Sequence, residues 1–153
     1  MTKKGWLDED VYRTLLENSP IPTADFILIR KCENANREFL LTKRTENPYK
    51  GNWFVPGGRI LKGERMADAV HRILRRELGI TKAGISFIGC LDVWNPPKLG
   101  VRWHSIWHFY TAWVNHDAIF RLNNENAATK WFTSINPRWP APVRKALGMA
   151  HFK

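Results

Sequence analysis

Apolar positions change their spacing along the chain, and the changes divide it into elements. Leu7, Val11, Leu15 and Leu16 form a stripe at helical spacing that predicts a short helix from Leu7 to Asn18, with Asp8 suited to its first turn. Ser19-Pro20-Ile21-Pro22 ends it. Ala24 to Arg30 is rich in branched residues and predicts a strand of a buried sheet. Glu33-Asn34-Ala35-Asn36 reads as a turn, and Glu38 to Arg44 as a second strand closing a hairpin. After a polar loop from Thr45 to Asn52, Trp53-Phe54-Val55 predicts a short strand and Pro56-Gly57-Gly58 a turn, where glycine permits close backbone approach to a ligand or metal and positive φ.

From Glu64 the helical spacing returns. Ala67, Val70, Leu74 and Leu78 line one side, and Gly79 suits a C-terminal cap. Ile85 to Trp94 predicts a long strand, Asn95 to Gly100 a loop, and Trp103 to Val114 an aromatic strand. Arg121 to Ala128 is a polar loop holding Glu125, and Thr129 to Phe132 a last short strand. Val143, Leu147 and Ala150 share one face of a terminal helix from Pro140 to Ala150. Strands mixed with a central helix and flanking smaller ones predict an α+β architecture in one domain, residues 1–153.

Composition narrows the partners. Lys and Arg number 24 against 14 Asp and Glu, a formal charge of +10, which favours anionic ligands. No nucleic-acid motif accompanies that charge, and the arginines concentrate in one turn and helix, so nucleic acid is the least favoured anion. Two cysteines, Cys32 and Cys90, give no disulfide framework, and a reduced, cytoplasmic setting is the default. The N-terminus lacks an apolar run after its lysines, and no stretch reaches the roughly 20 apolar residues that span a bilayer, so neither a signal peptide nor a membrane segment is expected. Of the eight Trp, most are expected in core or interface.

The chemistry concentrates between Gly57 and Ile80. A glycine pair precedes a helix studded with arginines, with Glu64 and Glu77 set among them, a pattern suited to a metal-bound polyanion. Gly58, Glu64, Arg72, Leu74, Glu77, Gly79 and Ile80 fit, at the correct spacing, the Nudix box: Gly, five residues, Glu, seven residues, then Arg-Glu-apolar-any-Glu-Glu-any-Gly-apolar. Ile73 and Arg76 stand where that pattern has two further glutamates. The chain therefore resembles the Nudix superfamily, which implies an α/β/α sandwich with a mixed β-sheet.

Within that superfamily the chain is similar to the GDP-mannose mannosyl hydrolase branch, which also lacks glutamate at the positions of Ile73 and Arg76, though it does not call for arginine at the second. Asp25-Phe26-Ile27, Lys43-Arg44-Thr45, Trp53 through Arg59, Glu77-Leu78-Gly79, Val93-Trp94 and Trp131 fall in that branch's order. The resemblance implies Mg²⁺-dependent attack of water at the anomeric carbon of a nucleotide sugar, with inversion and departure of GDP, in a homodimer. It implies that Arg44, Arg59 and Arg72 contact the diphosphate or leaving oxygen, that Asp25 touches the substrate, and that the Gly57 carbonyl and Glu77 carboxylate bind Mg²⁺. Glu125 and Asn126 fall where the branch has a metal-binding Gln and a His general base. Glu125 then serves as ligand and catalytic carboxylate, or His104, His108 or His116 supplies the base, or the protein binds its ligand with little turnover. A pyrophosphatase cleaving P–O in a nucleoside diphosphate derivative is the second enzyme reading.

Simpler roles compete at several positions. Asp25 reads equally as a strand-end residue, and Arg72 as the partner of Asp68 four residues earlier. Arg75 and Arg76 read as a solvated face, Glu64 as a carboxylate at the helix N-terminus, and a histidine on the aromatic strand as structural.

Overall fold

The computed structural model describes residues 6–33, 36–121 and 126–153. Among these residues three helices and seven strands follow in the order α1 (Glu9–Asn18), β1 (Ile21–Lys31), β2 (Arg37–Arg44), β3 (Trp53–Phe54), β4 (Gly57–Arg59), α2 (Met66–Leu78), β5 (Gly84–Lys98), β6 (Val101–Trp113), β7 (Asn126–Phe132) and α3 (Ala141–Met149). The strands form one sheet, β3-β2-β1-β6-β5, with β4 added to β1 and β7 to β2. β1 and β6 run parallel while the other pairs are antiparallel, so the sheet is mixed, as expected.

Alternation along β1 divides the core. Ala24, Phe26 and Leu28 face α2, where they pack with Val70, Ile73, Leu74 and Leu78. Ile27 and Ile29 belong to the opposite cluster, built with Phe39, Phe109, Val143 and Leu147 of α3. Helix α1 buries only Leu16 fully. Val11 stays exposed, and Tyr12 rather than Val11 packs beside Leu15 against the Ile21–Trp103 cluster. Among the described residues no helix is long and apolar enough to cross a membrane.

Three local expectations change. Gly57-Gly58-Arg59 is not a turn but strand β4, paired with Thr23–Asp25 of β1, and neither glycine has positive φ. Helix α2 starts at Met66, so Glu64 lies before it. β5 continues through Asn95-Pro96-Pro97 to Lys98, and only Leu99 (φ 53°) and Gly100 (φ 76°) turn the chain into β6, a two-residue hairpin with both φ positive. Asn95 is buried there and its amide reaches Ser105 Oγ at 2.6 Å. Prolines are tolerated because β5 is the outermost strand and needs no ladder bond on its far side. Along β6 the aromatics Trp103, Trp107, Phe109 and Tyr110 are buried in the chain's own core.

The sheet also splits. One edge of β1 pairs with β6 along Ile21–Ile29, while its other edge holds β4 over Thr23–Asp25 and β2 over Leu28–Lys31. β2, diverging from β1, takes β3 at Thr42–Lys43. Asp25 stands at this fork.

Candidate active site

Asp25 lies mid-strand between Gly57 of β4 and Phe109 of β6, so it is not a strand-end residue. It is 5% exposed. Thr23, two residues earlier on the same face, donates its hydroxyl to Asp25 Oδ2 at 2.5 Å. Burial pushes the Asp25 carboxyl up to about 7, the Thr23 hydrogen bond opposes this, the Glu77 carboxylate adds to it, and Arg44 works against it. The last two effects place both Glu77 and Arg44 within electrostatic reach of Asp25.

Gly57 owes its identity to this carboxylate. A Cβ there would come within 2.6 Å of Asp25 Cγ and closer still to Oδ1, so no side chain fits. The group that comes close at Gly57 is thus the chain's own Asp25 carboxyl, and neither glycine has the positive φ that a turn would require.

Helix α2 presents Glu77 from the other side of the fork. Its side chain is 4% exposed and its Oε1 accepts from Arg76 Nη2 at 2.8 Å. Arg76 is thus not simply a solvated charge. Ile73, at the other altered box position, is fully buried in the α2 core cluster, against Leu74 and Val70. The helix is closed by Gly79 at φ 68°, with the Gly79 amide donating to Arg75 O and the Ile80 amide to Leu74 O.

The loop from β4 to α2 is fastened by a different pair. Arg72 Nε and Nη2 donate to the two Glu64 oxygens at 2.6 and 2.9 Å, and Nη2 also donates to Arg59 O at 2.8 Å. The Leu61 amide donates to Glu64 Oε2 at 3.0 Å. The Arg72 hydrogen bonds hold the Glu64 carboxyl below its usual range against the effect of burial. The partner of Arg72 is therefore Glu64, eight residues away through the loop, and not Asp68 on its own helix. Glu64 acts as a clasp on the loop from just outside the helix.

Arg44 ends β2 with Nε donating to Pro48 O at 2.8 Å and its guanidinium 5.6 Å from the Phe54 ring centre. Arg59 ends β4 with its guanidinium 5.5 Å from the Tyr12 ring centre on α1. Glu125 lies outside the described residues. The chain re-enters at Asn126, whose backbone pairs with Arg44. Among the histidines, His104 contacts Asp92 and stacks on Trp94 at 4.9 Å. His108 Nδ1 lies 3.0 Å from Thr23 O, and the His116 carbonyl accepts from Arg30.

The fork thus brings together Asp25, Gly57, Glu77 and Arg44, with Arg76 bonded to Glu77. Arg59 and Arg72 frame it through the β4–α2 loop. Two members escaped the sequence reading. Thr23 carried a faint signal, being one strand period from Asp25, and Arg76 carried a clearer one, occupying a box position normally held by glutamate.

A Mg²⁺ ion suits the hard oxygen donors here, the Glu77 carboxylate and the Gly57 backbone carbonyl, while the room that a Gly57 side chain would need is filled by the Asp25 carboxyl. The set is sparse. Among the described residues no three His, Cys, Asp or Glu side chains gather about one point, so water and ligand oxygens must complete an octahedral shell. Two open concavities of about 380 and 510 Å³ lie elsewhere, around Glu38 and around Lys82, and include neither Asp25 nor Glu77.

Comparison with known proteins bears on the fold and the family. The low-salt glycan biosynthesis protein Agl8 of Haloferax volcanii is 31% identical over 86 residues, 56% of this chain and 52% of that protein. The ADP-ribose pyrophosphatase of Methanocaldococcus jannaschii is 35% identical over 71 residues, 46% of this chain and 40% of that protein. The matches thus span about half or less of these relatives' own lengths. Among solved structures, the NUDIX domain of Shewanella oneidensis NrtR, determined with ADP ribose, superposes over 95% of this chain and 97% of its own with a TM-score of 0.66 at 18% identity. A MutT NUDIX hydrolase from Burkholderia pseudomallei covers 84% of this chain and 97% of its own with a TM-score of 0.65 at 23% identity, a likeness of fold. The family model described as NUDIX domain matches residues 22–147, from the start of β1 into α3, and the chain belongs to that family.

Proposed function

We propose that the protein is a Mg²⁺-dependent hydrolase of a nucleotide sugar of the GDP-mannose type, cleaving the anomeric C–O bond to release GDP and free sugar. The observation that carries this reading is the carboxylate count on α2: Ile73 is committed to the core and Arg76 to Glu77, so the helix directs one buried glutamate at the fork where the family pattern has three in the same stretch. That inventory suits one cation assisting a departing diphosphate better than several cations activating water at phosphorus.

In this reading Glu77, the Gly57 carbonyl and Glu125 hold Mg²⁺, which when bound neutralises charge on the diphosphate. Arg44 and Arg59 bind the diphosphate as planar, bidentate donors. Arg72 acts through the Glu64 clasp and the Arg59 carbonyl, fixing the loop that aims Arg59. Asp25 contacts the sugar side. Glu125 is the carboxylate for accepting the proton of the attacking water, since Asn126 cannot. The Agl8 relative is named for glycan biosynthesis, in keeping with a sugar-bearing substrate.

A second reading, P–O cleavage of a nucleoside diphosphate derivative, is favoured by the relative named ADP-ribose pyrophosphatase. Purified protein with Mg²⁺ would be given GDP-mannose and ADP-ribose in ¹⁸O-labelled water. Label on the free sugar is the expected result. Label on phosphate selects the second reading, and release of no product from either substrate, in wild type and Glu77→Gln alike, rejects both.

A further inference from the structure

We propose that Arg76 and the divalent cation compete for the Glu77 carboxylate, so that Arg76 is the resident counter-ion of the metal-free site and becomes a diphosphate-binding group when metal takes Glu77. The inference rests on Glu77 being a metal ligand, as the proposed function has it.

Adjacent residues on a helix point about 100° apart and do not ordinarily meet. Arg76 nonetheless reaches Glu77 Oε1 at 2.8 Å. Its side chain manages this by folding over β4. Nη2 lies 3.3 Å from the point where a Cβ on Gly58 would stand, and Ile73 Cδ1 lies 3.4 Å from the same point. The glycine that opens the box therefore leaves room for a guanidinium laid across the strand that borders Asp25.

The two partners differ in freedom. The Glu77 side chain is 4% exposed and the Arg76 side chain 42%. The acid is fixed in the wall while the base can be reached from solvent and can turn. A carboxylate so buried needs a compensating charge. Arg76 supplies one when no metal is bound. A divalent cation brings like charge to the same carboxylate, so the guanidinium opposes its binding. Once displaced, a planar five-donor fork beside a cation-bound diphosphate matches phosphate oxygens well.

The test measures Mn²⁺, as a paramagnetic stand-in for Mg²⁺, by the loss of its free electron-spin-resonance signal. Arg76→Gln should bind Mn²⁺ about fivefold more tightly than wild type, a modest factor because the arginine is partly screened by solvent. Arg76→Lys, which keeps the charge, should stay near wild type, and Glu77→Gln should weaken binding sharply. Without metal, Arg76→Gln should melt about 3 °C lower than wild type, and saturating Mn²⁺ should close the gap. Tight binding lost in Glu77→Gln but unchanged or weaker in Arg76→Gln overturns the competition while leaving the metal site intact. Binding indifferent to Glu77→Gln overturns the metal reading and this inference together.

Discussion

At the scale of single residues, the site is defined by side chains that are missing as much as by those present. Gly57 and Gly58 stand side by side in β4 with ordinary backbone angles, yet only the first is hemmed in by a fixed group. Gly57→Ala would drive its methyl into the Asp25 carboxylate, which is held by Thr23 and cannot withdraw without losing that bond. Gly58→Ala would touch the flexible end of Arg76 and a terminal methyl of Ile73. We expect Gly57→Ala to lose about 2–3 kcal/mol by urea denaturation, through overpacking. Gly58→Ala should stay within about 0.5 kcal/mol, because reduced freedom of the unfolded chain offsets the tighter contact. Equal stabilities for the two variants would show that β4 does not press on Asp25 as described. The sequence revealed that glycine was needed here, but not that it sits in a strand: a three-residue strand is set by its tertiary partner β1, and Pro56-Gly57-Gly58 taken alone carries turn chemistry.

At the scale of elements, legibility followed how local each determinant was. The β1–β2 hairpin and α2 were readable because two- and 3.6-residue periods and a glycine cap lie within the segment itself. The end of β5 was not, since Pro96-Pro97 argues for a loop unless one knows that the strand is outermost. The start of α2 was misplaced by two residues because Glu64 looks like a first-turn acid while serving Arg72 across the loop. Nor could periodicity show that Arg76 bends back to Glu77. Ile73 illustrates the consequence for α2. It reads as a departure from the box, and in the fold it is a core residue with no exposed surface. Restoring the family's glutamate by Ile73→Glu should therefore cost about 3 kcal/mol or more in urea unfolding, the effect of an unpaired charge in an apolar contact surface. The Mn²⁺ stoichiometry should not rise. A stable Ile73→Glu protein that binds an additional Mn²⁺ would mean that position 73 faces the cation rather than the core.

At the scale of the whole molecule, the fork in the sheet lets two faces contribute to one site. Asp25 shares the strand alternation of Ile27 and Ile29 on the α3 side, whereas Glu77 arrives on α2 from the other. They interact because β1 leaves β2 and takes β4 at that point. Charge is distributed to match. From Gly57 to Ile80 the chain has Arg59, Lys62, Arg65, Arg72, Arg75 and Arg76 against Glu64, Asp68 and Glu77, a surplus of positive charge within a molecule already at +10. Glu64 and Glu77 are each held by an arginine, so the excess is available to act at a distance. Such a field should accelerate the approach of an anionic nucleotide more than it strengthens the final contacts. Stopped-flow association of a fluorescent GDP analogue, with Mg²⁺ held constant, should slow about tenfold between 20 and 300 mM NaCl, roughly the range over which the Debye length falls from above 20 Å to about 6 Å. The dissociation rate should change far less, because in the proposed reading it reports short-range contacts at Arg44 and Arg59. An association rate indifferent to salt would show that the positive surplus plays no part in capture, and would confine the electrostatics of this protein to the fork itself.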